Sequence, residues 1–121
     1  MIRIRGIYEI AIPVKELSRA EAFYTEVLGF EFGLRDEARK WLFLRVGGPA
    51  GMIVLQQQTI AWQAQHFAFA VSHEELDEAA AELKARGVVV DGPYFHEWMP
   101  ARSVYFSDVD GHQLELCAPV G

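Results

Sequence analysis

Residues 9–14 read EIAIPV, and residues 66–71, 57 positions further along the chain, read HFAFAV. Both stretches alternate small or polar residues with larger apolar ones, which is typical of a strand with one buried face. An S-x-x-E sequence follows each stretch, beginning at Ser18 and at Ser72. This motif indicates a helix start with a capping box, in which the serine and glutamate side chains bind free backbone N–H groups. The chain therefore repeats a strand–helix unit.

The repeat extends beyond the helix start. The apolar residues with helical spacing are Leu17, Ala20, Phe23, Tyr24, Val27 and Leu28 in the first copy and Leu76, Ala79, Ala80 and Leu83 in the second. Both patterns stop at a glycine, Gly29 or Gly87, the residue favoured just past a helix end. The extended segments that follow are residues 30–34, 41–46 and 51–57, then 88–90, 103–107 and 112–118. The sequence predicts an α+β domain over residues 1–121, built from two βαβββ modules at about 6–58 and 63–119.

The repeat also predicts which strand positions share a face. Because side chains alternate along a strand, Glu9 lies on the face of its strand that is opposite the apolar face. His66 lies on the corresponding face of the first strand of the second module. The last strands of the two modules align Val54 with Glu115. Two similar modules imply an approximate two-fold axis, so we expect these four positions to converge. Three of the four are residue types that bind metal ions.

Chemically, Glu9, His66 and Glu115 make a sensible metal site. One imidazole and two carboxylates suit Mn²⁺, Fe²⁺, Ni²⁺, Zn²⁺ or Mg²⁺. Three protein ligands leave positions open for water or substrate, as in catalytic sites. Either Glu9 or Glu115 is then a candidate to take a proton from the substrate. The alternatives are a hydrogen-bonded histidine in the core and two exposed glutamates on strands.

Further residues are candidates for substrate binding. Alternation along the strands predicts that Phe43, Gln56 and Tyr105 line the cavity beside the metal, although Phe43 also suits a position in the core. The segment 93–103, PYFHEWMPARS, is rich in aromatic and polar groups. It predicts a loop in which Trp98 and Arg102 cover the cavity and select substrate, or else a packed surface loop.

Composition restricts the function classes. The net charge of −6 argues against binding nucleic acid. No apolar run approaches the roughly 20 residues that span a bilayer, and the first ten residues lack the apolar core of an export signal. The single Cys117 cannot form an internal disulfide, which favours a cytoplasmic location. The charge is uneven, since residues 62–121 carry three basic and ten acidic side chains.

Three stretches resemble the vicinal oxygen chelate superfamily, also called the glyoxalase/bleomycin-resistance/extradiol-dioxygenase family. AIPVKELSRAEAFYTEVLGFEF at 11–32 resembles the family's first strand and helix, and HFAFAV resembles the strand that opens its second module. VYFSDVDGHQLEL at 104–116 resembles its last hairpin. The resemblance covers about residues 6–119. It implies curved mixed sheets that form an open barrel, with the helices outside, and it implies a homodimer.

The resemblance also implies a ligand set and a function. The family's metal positions fall on Glu9, Val54, His66 and Glu115; valine cannot bind a metal, and Glu9 departs from the usual histidine or glutamine. Val109 stands where the family's turn usually has proline. The expected function is a metal-dependent enzyme of the glyoxalase type, with lyase or isomerase chemistry on a small substrate with vicinal oxygens.

Several rival functions remain open from the same resemblance. One is a metal-free protein of the bleomycin-resistance type that sequesters an antibiotic, which suits the acidic second half. A second is ring cleavage by an extradiol-type dioxygenase, an oxidoreductase. A third is thiol addition to an epoxide antibiotic, a transferase reaction. No nucleic acid or membrane partner is expected.

Overall fold

The computed structural model of the protein describes residues 1–48 and 51–120. Its contacts divide the chain into two units, Met1–Gln63 and Ala64–Gly121, which are described separately below. Each unit contains one four-stranded mixed sheet and one main helix, which confirms the predicted α+β class and the βαβββ order. Neither helix in the described part of the chain has the length and apolar character needed to cross a membrane.

The first unit has the strand order β1-β4-β3-β2. Its elements are β1 (Glu9–Val14), α1 (Leu17–Ala22), a π-helical turn (Phe23–Val27), β2 (Glu31–Asp36), β3 (Trp41–Arg45) and β4 (Met52–Gln57). Strand β1 pairs with β4 in parallel, and the other neighbours are antiparallel. Leu42, Leu44 and Leu55 have no exposed surface, because they lie on the face of the sheet that α1 covers.

The second unit has the equivalent strand order β5-β8-β7-β6. Its elements are β5 (His66–Ala70), α2 (His73–Ala85), β6 (Asp91–His96), β7 (Ala101–Ser107) and β8 (Gln113–Pro119). The parallel pair β5–β8 corresponds to β1–β4 of the first unit. Leu76, Leu83 and Leu114 form part of a core between α2 and the sheet, where each is at most 4% exposed.

Of the two predicted capping boxes, the one at Ser72 forms and the one at Ser18 does not. Ser72 accepts a hydrogen bond from the backbone N–H of Glu75, and the Glu75 side chain accepts one from the N–H of Ser72. Ser18 makes no cap, so that prediction is wrong: α1 begins at Leu17, after Glu16. The reason is that the N–H of Leu17 donates to the side chain of Gln57, 40 residues away, at 2.8 Å. A tertiary contact therefore replaces the local cap.

Replacing the capping serine tests this difference. Ser72→Ala should lower the free energy of unfolding by about 1 kcal/mol, because the side-chain acceptor for the first turn of α2 is lost. The matched control, Ser18→Ala, should leave stability nearly unchanged, since Ser18 lies inside α1 and caps nothing. Urea denaturation followed by circular dichroism measures both. Equal losses in the two variants would contradict the assignment.

The second sheet also differs from the sequence prediction at one strand. Residues 88–90, VVV, precede β6 instead of forming it, and β6 begins at Asp91. The segment predicted as a loop over 93–103 therefore contains the end of β6, a turn, and the start of β7. Apolar β-branched residues favour strands locally, but pairing with β7 decides which residues belong to the sheet.

Candidate metal and substrate site

His66 and Glu115 lie together on the second unit. Nε2 of His66 is 3.1 Å from Oε1 of Glu115. The two residues come from neighbouring strands, since β5 and β8 pair in parallel with Ala68 opposite Glu115. The side chain of Glu115 is 7% exposed, whereas that of His66 is 56% exposed. The pair therefore joins a buried carboxylate to an imidazole that solvent can reach.

The face that carries this pair is the one turned away from α2. Arg102 of β7 pairs with Asp77 of α2, so its side chain lies on the helix side of the sheet. Because strand residues alternate, Ser103 and Tyr105 lie on the other side. Tyr105 stands directly opposite Glu115 in the register of β7 and β8. Tyr105 therefore lies beside Glu115, and its role in substrate binding stays a prediction.

The second oxygen of Glu115 is held by Ser103. The Ser103 hydroxyl, which is fully buried, donates to Oε2 of Glu115 at 2.6 Å. A short hydrogen bond to a carboxylate fixes its rotamer and leaves Oε1 directed at His66. The sequence reasoning did not assign this role to Ser103, although the alternation of residues 103–107 was the available signal.

Tyr105 and His96 form a second hydrogen-bonded pair next to the carboxylate. The Tyr105 hydroxyl lies 2.7 Å from Nε2 of His96. Burial raises the pKa of Tyr105, and the negative charge of Glu115 raises it further. The phenol therefore keeps its proton at neutral pH and can donate it in a hydrogen bond.

A buried histidine positions the start of β5. Nδ1 of His112 accepts the backbone N–H of Gln65 at 3.0 Å, and the N–H of Gln113 donates to the Gln65 carbonyl at 2.8 Å. His112 is itself held in the turn before β8 by Asp108, whose carboxylate accepts its N–H. The residue before His66 is thereby tied to the hairpin that carries Glu115.

The two residues predicted to cover the cavity, Arg102 and Trp98, have different positions. The guanidinium of Arg102 is 2.9 Å from Asp77 and faces α2, on the opposite side of the sheet from Glu115. This interaction lowers the pKa of Asp77. Trp98 lies in the turn between β6 and β7 and is 81% exposed, with its ring 6.2 Å from that of His96. Arg102 is therefore directed away from the face that carries the His66–Glu115 pair, whereas Trp98 lies next to His96, the partner of Tyr105 on that face.

Glu9 belongs to the first unit and lies on the corresponding face of that sheet. Strand register aligns Glu9 with Met52 of β4 and Arg45 of β3, on the face away from α1. A cavity of about 240 Å³ opens there, lined by Glu9, Phe43, Arg45 and Met52 among others. Gln56 lies on the same face of β4, opposite Trp41, and is half-buried. Phe43 therefore lines one cavity with Glu9, and its role in substrate binding stays a prediction.

The donor chemistry of the pair fits a divalent ion. Two ligand atoms that bind one ion at right angles, each at about 2.1 Å, stand about 3.0 Å apart. The separation of Nε2 of His66 and Oε1 of Glu115, 3.1 Å, matches this distance. Within the part of each unit that the structure describes, no third His, Cys, Asp or Glu completes a group of three. The pair can therefore supply two ligands.

Comparisons with known proteins agree with this fold. Residues 6–116 match the family model described as the Glyoxalase/Bleomycin resistance protein/Dioxygenase superfamily. The fosfomycin resistance protein FosX of Listeria monocytogenes is 30% identical over 95% of this chain and 90% of its own length. The metallothiol transferase FosB of Staphylococcus epidermidis is 25% identical over 93% of this chain and 83% of its own.

Solved structures give the same result. An integron cassette protein, HFX_CASS4, from the mobile metagenome of a Halifax Harbour sewage outfall has a TM-score of 0.91 at 50% identity, over 95% of this chain and 99% of its own. TnmS3, an antibiotic binding protein from Streptomyces sp. CB03234, has a TM-score of 0.82 at 26% identity, over 99% and 100% of the two chains. A variant of Listeria FosX, bound to Mn(II) and 1S,2S-dihydroxypropylphosphonic acid, has a TM-score of 0.81 at 27% identity, over 98% and 95%.

Proposed function

This chain belongs to the glyoxalase/bleomycin resistance protein/dioxygenase superfamily, and from that premise we propose that it is a metal-dependent enzyme acting on a small substrate with vicinal oxygens. The observation that carries the proposal is the His66–Glu115 pair, 3.1 Å apart on the open face of the second sheet. The Mn(II) in the FosX structures supports a divalent ion as cofactor.

We propose Glu9 as the third ligand, supplied by the same chain or by a second copy. When bound, the ion would hold two substrate oxygens and stabilise negative charge that develops on them. Its candidates are Mn²⁺, Fe²⁺, Ni²⁺, Zn²⁺ and Mg²⁺, of which the two carboxylates favour the harder ions. Homodimerisation stays a prediction of the family resemblance, and sedimentation velocity would test it.

The two glutamates have different surroundings, which suggests different roles. Glu115 is buried, and both of its oxygens lie within hydrogen-bond distance of partners, so it serves as a fixed ligand. Glu9 is exposed, and among the described residues its side chain makes no hydrogen bond or ion pair. A carboxylate without such anchors can be released from the metal, turn toward a substrate and take a proton. We assign proton removal to Glu9 and proton donation to the Tyr105 hydroxyl, with His96 orienting the phenol.

Two reactions are compatible with Glu9 as the base and Tyr105 as the proton donor. In isomerase chemistry, Glu9 would remove a proton from one carbon and return it to the neighbouring carbon, while the Tyr105 hydroxyl would donate a hydrogen bond to the oxygen on which negative charge develops. The second reaction is epoxide opening, which the similarity to FosX and FosB supports for this chain. In that reaction Glu9 would remove the proton of the attacking water or thiol. Tyr105 would then protonate the ring oxygen as the carbon–oxygen bond breaks.

A metal titration followed by a substrate test decides whether the proposal holds. Untagged protein, stripped of metal with a chelator, should bind about one Mn²⁺ per chain and melt at a higher temperature with it. The loaded protein is then incubated with fosfomycin in water or with a thiol, followed by phosphorus NMR. In parallel, an α-ketoaldehyde with glutathione is followed by absorbance. Binding of no divalent ion would overturn the proposal.

A metal-free antibiotic-binding protein is the second candidate. It is favoured by the hydrogen bonds that satisfy Glu115 within the chain and by the likeness to the antibiotic binding protein TnmS3. In that case the His66–Glu115 pair is a structural hydrogen bond. Calorimetry with metal-free protein would distinguish the candidates, since a sequestering protein binds its antibiotic equally well with and without Mn²⁺.

A further inference from the structure

A row of three charged side chains crosses the first sheet on the face away from α1. The register places Glu31 of β2 opposite Arg45 of β3, Arg45 opposite Met52 of β4, and Met52 beside Glu9 of β1. Neighbouring strands are about 5 Å apart, so Arg45 stands one strand from Glu31 and two strands from Glu9. Across the sheet, a negative side chain (Glu31) is thus followed by a positive one (Arg45), an apolar one (Met52) and a second negative one (Glu9).

Arg45 differs from Arg35 of the same sheet and from Arg39 of the turn between β2 and β3. Arg35 pairs with Glu21 at 2.8 Å, and Arg39 pairs with Asp36 at 2.6 Å. Among the described residues, no carboxylate oxygen lies within 4.0 Å of the Arg45 guanidinium, although Glu31 is directly opposite. Glu31 likewise makes no ion pair within that part of the chain. Two opposite charges on facing residues thus stay separate.

Two cavities meet at Arg45. The described residues that line the first, of about 380 Å³, are Gly29, Glu31, Arg45, Gly47 and Gly48, and they contribute two charged side chains and the backbone of three glycines. The second is the cavity of about 240 Å³ that also contains Glu9, with Phe43 and Met52 as its apolar wall. A ligand of moderate length can therefore contact Glu31, Arg45 and Glu9 in succession.

From this arrangement we infer that the larger cavity binds the zwitterionic end of an α-amino acid or of a molecule that carries one. Arg45 would bind the carboxylate by paired N–H donors, and Glu31 would accept the ammonium group. A purely anionic ligand is repelled by Glu31, and a purely cationic one by Arg45. The rest of the ligand extends past Phe43 toward Glu9. The inference rests on the proposed function only in identifying this ligand as the substrate.

The test uses three probes that differ by one charge. Backbone amide NMR on metal-free protein is recorded during titration with L-serine, N-acetyl-L-serine and L-serine methyl ester. L-serine should shift the amides of Gly29, Gly47 and Gly48 in a saturable way, and each blocked probe should bind about tenfold or more weakly. Equal binding of all three, or shifts that map outside this cavity, would overturn the inference.

Variants separate the two charges. Arg45→Gln should reduce L-serine affinity about tenfold or more and remove the preference over the methyl ester, whereas Glu31→Gln should remove the preference over the N-acetyl derivative. Arg39→Gln and Glu37→Gln, which lie in the nearby turn and line neither cavity, are the matched controls and should bind like wild type. Loss of binding in the controls as well would overturn the assignment.

Mn²⁺ affinity of the same variants keeps the two proposals apart. Arg45 and Glu31 are not metal ligands in the proposed site, so both variants should bind Mn²⁺ as wild type does. Serine binding without Mn²⁺ binding would leave the amino acid site standing and overturn the proposed metal enzyme. Mn²⁺ binding without any serine binding would do the reverse.

Discussion

Glu115→Gln should lower the affinity for Mn²⁺ by more than the ten- to hundredfold typical of losing a supporting hydrogen bond. The substitution keeps the shape and the contact with Ser103 but removes the negative charge that a divalent ion requires beside His66. His66→Ala removes the neighbouring ligand and should have an effect of similar size. Isothermal titration calorimetry of untagged, chelator-treated protein measures both.

Two further variants calibrate that effect. Glu97→Gln makes the same chemical change on an exposed residue of the turn after β6 and should leave Mn²⁺ affinity unchanged. Ser103→Ala releases one oxygen of Glu115, so the loss should be about ten- to hundredfold. Wild-type affinity in Glu115→Gln would exclude the His66–Glu115 pair as a metal site and leave the sequestering function in its place.

Glu9→Gln should also weaken Mn²⁺ binding substantially, because one of the three proposed ligands loses its charge. Glu9→His should bind again, with the preference shifted toward Zn²⁺ or Ni²⁺, since imidazole is a softer ligand than carboxylate. The Mn²⁺ affinity of the wild type should fall as the pH is lowered, because protons compete with the metal for all three proposed ligands. Competition titrations with Mn²⁺ and Zn²⁺ measure these preferences.

Glu9 offers a clean comparison because it is exposed and, among the described residues, unpaired. Neither replacement should therefore change the melting temperature of the metal-free protein by much. Glu16→Gln, an exposed residue just before α1, is the control and should bind Mn²⁺ as wild type does. Unchanged Mn²⁺ affinity in Glu9→Gln would remove Glu9 from the site while leaving His66 and Glu115 in it.

Local patterns predicted much of the fold because the forces that produce them act over a few residues. The period-two alternation at 9–14 and 66–71 places one apolar face on each first strand, and both segments are strands. Ser72 and Glu75 satisfy each other's backbone donors within a single turn, so their motif predicts a helix start correctly. Gly87 follows the end of α2 with φ of 85°, a conformation that glycine adopts without strain.

The site was predictable as far as the repeat defines equivalent positions. Ala11 pairs with Val54 and Ala68 pairs with Glu115, so the alignment of Val54 with Glu115 holds in the strand register. That alignment, with alternation, was enough to place His66, Glu115 and Tyr105 on one face. It was not enough for Arg102, whose partner Asp77 is 25 residues away on α2.

By itself the sequence determined the order of the elements, the two-module repeat, and the face on which each strand residue lies, because these follow from backbone periodicity and short-range capping. Only the tertiary structure decided the start of α1, the role of Ser103, and the separation of Arg45 from Glu31. Each of these depends on which side chains from distant segments meet. The N–H of Leu17 donates a hydrogen bond to Gln57, and the hydroxyl of Ser103 donates one to Glu115. The pairing of the strands brings these residues together, and no local sequence preference encodes that pairing.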